Sequence, residues 1–135
     1  MFATVTANLL YIHEKELTPN LQHNFCYFSE QSIPLYVIVE LEVTTSHKVP
    51  MIQGLEEIRK AKLMNKVQDL LNICFMNQEQ LLVTVVDHKS RLSELSQRFG
   101  KLQKLCIYTS IRQQKKQLVF ITKHFKNLDL EWETL

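Results

Sequence analysis

Gln80–Asp87 reads QLLVTVVD; five of its eight residues are aliphatic and three of those are valine. A run this short has no room for a helical stripe. It reads as a strand covered on both faces, the central strand of a sheet. One helical pattern runs into it and another runs out of it. Strands that alternate with helices in this way pair in parallel through right-handed crossovers.

Upstream, Met51–Phe75 is expected to be one long helix, with Pro50 at a position suited to a helix start. Ile52, Leu55, Leu63, Val67, Leu70, Ile73 and Cys74 fall on one broad face. Met64, Leu71 and Phe75 give it a second apolar side. Before it stand three alternating segments, 3–12, 21–28 and 35–44, separated by the turn signal Thr18-Pro19-Asn20 and by polar Ser29–Ser32. The short first link predicts an antiparallel pair, and the three together a meander. In LYVIVELEVT, Leu35, Val37, Val39, Leu41 and Val43 share one face, and Tyr36, Ile38, Glu40, Glu42 and Thr44 the other.

Downstream, Ser90 is a suitable N-cap, and Leu92, Leu95, Phe99 and Leu102 predict a short amphipathic helix stopped near Gly100. Lys104–Thr109, KLCIYT, reads as a strand. The last segment has two readings. Gln117–Lys123, QLVFITK, resembles a strand by composition. Leu118, Ile121, Phe125, Leu128 and Trp132 instead recur at helical spacing, and Ser110 with Gln113 forms a capping-box pattern. The longer pattern predicts a C-terminal helix over 111–131.

The element order, β-β-β-α-β-α-β-α, predicts an α/β fold with a mixed sheet of about five strands and helices packed on it. The 135 residues suit a single domain over 1–135. The same element order occurs in ribonuclease-H-like domains, with flavodoxin-like and restriction-endonuclease-like arrangements as neighbours. The resemblance is one of topology, and topology carries no chemistry of its own.

Composition narrows the function classes. There are two glycines, and neither GxGxxG nor GxxxxGK[ST] occurs, which argues against a phosphate cradle built on bare backbone. Cys26, Cys74 and Cys106 each lie in an apolar run, without a CxxC and far from the histidines. They read as reduced core thiols of an intracellular protein, in cytoplasm or nucleus, rather than as zinc ligands. No run reaches membrane-spanning length, and Met1–Leu10 lacks the positive start of a signal peptide. No cofactor or resident metal is called for.

Charge is segregated. Residues 1–50 carry two Lys/Arg against five acids, whereas residues 88–126 carry ten Lys/Arg against one acid, Glu94. Lys89, Arg91, Arg98, Lys101, Lys104, Arg112, Lys115 and Lys116 are therefore the candidate nucleic-acid contacts, since phosphate binding needs several cations on one surface. An ordinary solvated basic face is the plain alternative, and no aromatic is interleaved for base stacking. Glu40 and Glu42 point the same way from one strand, and Asp87 ends another. Such carboxylates could hold a divalent cation in a nuclease. The plainer reading is a sheet face that opens to water beyond Ile38 and leaves both glutamates solvated. No serine, cysteine or histidine set suggests a nucleophile, and His88, beside Asp87 and Lys89, is the one histidine placed for a chemical role. Val119, Phe120 and Leu130 lie off the main stripe of the last helix. Val119 and Phe120, with Met64, Leu71 and Phe75, are the candidate partner-binding residues.

Three expectations follow. The first is a non-catalytic intracellular subunit that works by binding another protein, as a homo- or hetero-oligomer, in a nucleic-acid-related complex. The second is a metal-dependent nuclease or phosphoryl-transfer enzyme using Glu40, Glu42 and Asp87. The third is a DNA- or RNA-binding module acting through the basic 88–116 segment.

Overall fold

The computed structural model describes residues 6–18, 21, 33–41, 55–72, 81–87, 90–99 and 101–135. Within them, β1 (Thr6–His13), β2 (Leu35–Glu40), β3 (Leu81–Val86), β4 (Lys104–Thr109) and β5 (Asp129–Thr134) form one sheet in the order β3-β2-β1-β4-β5. Every ladder is parallel. Helices α1 (Leu55–Asn72), α2 (Arg91–Phe99) and α3 (Ile111–His124) fill the crossovers after β2, β3 and β4.

Alternation along the strands divides the core between the two faces. Leu10, Ile12, Leu35, Val37, Val39 and Val85 pack on one face with Val67 of α1. Ala7, Leu9, Tyr11, Ile38, Val86, Leu105 and Ile107 pack on the other with Leu95 and Phe99 of α2 and Ile121 of α3. The arrangement is α/β and doubly wound: α1 covers the first face, α2 and α3 the second. Leu9, Leu10, Tyr11 and Ile12 are successive and all buried, so β1 is the strand enclosed on both sides.

Four sequence expectations change. The sheet is parallel, not mixed, over all five described strands. Strand 35–40 pairs directly beside and parallel to β1, where a meander would have set it antiparallel. The expected strand at 21–28 lies outside the described residues except for Leu21. Second, among the described strands β3 lies at the edge, not at the centre. Its aliphatic run reflects helices on both faces: Val85 belongs to the α1 core and Val86 to the α2 core. Strand order is a separate property that such a run does not encode. Third, the C-terminal helix ends at His124, and Asp129–Thr134 is a strand beside Lys104–Thr109. Leu128, Leu130 and Trp132 alternate inward while Asp129, Glu131 and Glu133 are exposed. A spacing of four fits a period of two as well as a helix, which is why Leu128 and Trp132 read as helical. Fourth, Glu40 is not solvated, as the next subsection describes.

Candidate functional site

In open parallel sheets, ligands gather at the carboxyl ends of the strands where the winding reverses. Here that point lies between β1 and β4, and the described part of the rim is formed by His13–Glu16, Glu40–Leu41, Asp87, Ser90 and Thr109–Ser110. The polar groups of this rim are largely engaged within the chain.

Glu40 ends β2 on the face covered by α3 and is 9% exposed. Its Oε2 accepts from Tyr11 Oη at 2.8 Å and from Gln117 Nε2 at 3.3 Å. Thr109 Oγ1 donates to the Tyr11 carbonyl at 2.7 Å, so the network ties β1, β2, β4 and α3 together. A buried carboxylate is tolerated where charge-assisted bonds replace water. Gln113, one turn before Gln117, is also buried, and its Oε1 has no partner among the described residues.

Asp87 and Ser90 bond reciprocally: Asp87 N–H to Ser90 Oγ at 3.0 Å, and Ser90 N–H to Asp87 Oδ1 at 2.7 Å. The Ser90 carbonyl then takes the first helical bond from Glu94 N at 3.1 Å. Asp87 thus acts as a capping residue at the entry to α2, with Lys60 Nζ 3.4 Å from its Oδ2. Glu14 pairs with Arg59. His13 Nδ1 accepts from Lys15 N at 3.2 Å, and Glu16 Oε1 accepts from His13 N at 2.9 Å.

The structure therefore separates two of the three proposed metal carboxylates. Glu40 shares its face with its register partner Val86, under α2 and α3, whereas Asp87 meets Lys60 of α1 on the opposite face. Glu42 and His88 lie outside the described residues. Among the described residues, no group of three His, Cys, Asp or Glu side chains is placed to hold a metal.

The cations are dispersed in the same way. Arg112 sits at the carboxyl end of the sheet, at the start of α3; Lys101 and Lys104 sit at the amino end, before and at the start of β4. Arg98 pairs with Glu94 at 2.9 Å, and Lys104 with Glu131 at 3.0 Å. Glu131 holds the Lys104 pKa above its ordinary value, by hydrogen bond and by charge. Arg112, Lys115 and Lys116 are exposed on α3. Lys89 and the Arg91 side chain lie outside the described residues.

Among the described residues, exposed large aliphatic side chains are Ile58 of α1, at 55%, Leu135, and three on helix α3. Ser110 caps it, its Oγ accepting from Gln113 N at 3.2 Å, but the Gln113 side chain turns under the helix instead of closing the capping box. Gln113, Gln117 and Ile121, four residues apart, form the buried stripe. That places three aliphatic residues outside: Ile111 is 60% exposed, Leu118 40% and Val119 73%. Leu118, Val119, Thr122 and Lys123 line a shallow apolar depression there. Of the candidate partner residues, Val119 is outward. Phe120 is half-buried against the core and stacks edge-on with His124 at 4.9 Å. Leu130 is half-buried in β5, and Met64 packs inward beneath α1. The Leu71 side chain and Phe75 lie outside the described residues.

Sequence reasoning missed Ile111 and placed Leu118 in the buried stripe. The signal that displaces them is a pair of glutamines four apart, which normally marks a solvated face. Gln117 is held by Glu40, 77 residues away, so no local pattern reveals its burial. Burial also pushes the Cys106 thiol above its ordinary pKa, and the charges of Glu131 and Glu133 add to this.

No protein family, no curated protein and no solved structure matches this chain. No described helix is long and apolar enough to cross a membrane.

Proposed function

We propose that this chain is a non-catalytic α/β subunit that works by binding another protein through the outer side of α3. The observation that carries the reading is Val119, 73% exposed, with Ile111 and Leu118 also exposed, on a helix whose opposite stripe, Gln113, Gln117 and Ile121, is buried. Burying a fully exposed aliphatic side chain contributes about 1.5–3 kcal/mol, and these three, each already partly covered, contribute a fraction of that apiece. Engagement of Glu14, Glu40 and Asp87 in structural bonds supports a binding role over a catalytic one.

The test is a paired purification from the native cells. Wild type and the Leu118→Asp/Val119→Asp variant are compared by size-exclusion chromatography with light scattering. Wild type is expected to run as a defined complex that the variant loses at least tenfold, with equal thermal stability of the two purified chains. A strictly monomeric wild type, or a complex indifferent to the variant, contradicts the proposal.

A second reading has its own observation. Arg112, Lys115, Lys116 and Lys123 are exposed on α3, which holds no acid. Direct nucleic-acid binding there predicts an affinity that falls steeply with salt, by a slope that Lys115→Glu/Lys116→Glu flattens by about two.

A further inference from the structure

β5 ends the sheet, and no described strand pairs with its outer edge. The Asp129 amide donates to the Gln103 carbonyl at 3.0 Å and the Leu135 amide to the Thr109 carbonyl at 2.9 Å. The odd-numbered residues therefore turn their backbone groups inward to β4. Alternation aims the N–H and C=O of Leu130, Trp132 and Thr134 outward. An edge of this kind is a template for another strand.

The two faces beside that edge differ in chemistry. On one, Asp129, Glu131 and Glu133 stand exposed in a row, answered by Lys104 at Glu131. On the other, Leu130 and Trp132 are half-buried. Gln114 Oε1 accepts from Thr134 Oγ1 at 3.4 Å, which fixes the side of α3 that turns toward β5. Ile111 and Leu118, three residues before and four after Gln114, share that side and extend the apolar shelf.

A second copy of the chain does not fit this edge. Antiparallel pairing of β5 with β5 about a dyad keeps each face continuous. Every register then sets odd residues against odd residues, so acids oppose acids, which destabilises a ladder. We infer instead that the β5 edge takes an extended segment of another protein by strand addition, one whose side chains alternate basic and apolar. The basic side chains meet Asp129, Glu131 and Glu133; the apolar ones cover Trp132, Leu118 and Ile111. Backbone bonds supply affinity and the alternation supplies selectivity.

The inference deepens the interaction reading by naming the partner's chemistry, and it can fail separately from that reading. The probe is the peptide Lys-Val-Lys-Ile-Lys-Val, tested on the full chain by hydrogen exchange and Trp132 fluorescence. In the chain alone, the amides of Leu130, Trp132 and Thr134 are expected to exchange quickly, and saturating peptide is expected to protect all three. The analogue with glutamate for lysine is expected to bind at least tenfold more weakly, and N-methylation of alternate peptide amides to abolish binding in one of the two frames. The variant Glu131→Lys/Glu133→Lys is expected to reverse the preference between the two peptides. Edge amides already protected in the chain alone, equal binding of both peptides, or indifference to N-methylation in both frames each overturn the strand site. The α3 variants above decide the broader reading whichever way these results fall.

Discussion

Two glutamines one turn apart on α3 are expected to respond oppositely to the same substitution. Gln113 is 2% exposed and its Oε1 has no partner among the described residues, whereas Gln117 is 1% exposed and donates to Glu40 at 3.3 Å. Methionine matches glutamine in length and in helix propensity, so the exchange isolates the polar group. Removing a buried acceptor that lacks a partner recovers its desolvation cost, about 1–3 kcal/mol. Gln113→Met is therefore expected to stabilise the fold by roughly 1 kcal/mol or more. Gln117→Met removes a bond to a buried carboxylate and leaves Glu40 with Tyr11, for a loss of about 1.5–3 kcal/mol. With a urea slope of roughly 2 kcal/mol per molar, a combined difference of about 2.5–6 kcal/mol should separate the two midpoints by about 1–3 M, on either side of wild type. Equilibrium urea unfolding followed by circular dichroism reads this directly. A destabilised Gln113→Met would falsify the packing of α3, because its buried stripe would then be satisfied by groups other than those described.

Other consequences are as specific. Asp87→Ala removes the reciprocal box at the entry to α2 and should cost about 1–2 kcal/mol, whereas Lys60→Ala, which removes the partly buried ion pair at the rim, should cost about 1 kcal/mol or less by the same unfolding assay. The Cys106 pKa is raised in the folded state, so the folded chain binds more protons than the unfolded one between the two pKa values. Stability should accordingly fall as pH rises above about 9, and Cys106→Ala should flatten that fall; parallel alkaline profiles for both proteins would contradict the burial. Truncation after Asn127 removes half-buried Leu128, Leu130 and Trp132 from the sheet and should cost about 3–5 kcal/mol; an unchanged melting temperature would mean that β5 is no part of the core.

What the sequence makes legible, and what it hides, divides by range. Leu35–Leu41 shows its two faces correctly, because alternation is local and its two sides pack on different helices. Val85 and Val86 likewise announce helices on both faces of β3, but nothing in the run tells that the strand is at the edge. β1 is the more deeply enclosed strand, yet Thr6, Asn8 and His13 disguise it. Asp129–Thr134 alternates cleanly, but a longer helical period overlaps it from Leu118 onward. The change of period after His124 carries no glycine or proline to mark it. The site was less legible than the fold. Glu40 stood out as a charge in an apolar strand, but its partners Tyr11 and Gln117 lie 29 and 77 residues away. The same distance hid the burial of the glutamines, and with it the exposure of Leu118.

The most direct test places a photo-crosslinking residue at position 119 of the chain in its native cells, with position 62, on the other face of the sheet, as the control. Binding through the outer side of α3 predicts one discrete adduct from 119, abolished by Leu118→Asp, and none from 62. No adduct from 119, or the same adducts from both positions, would contradict it.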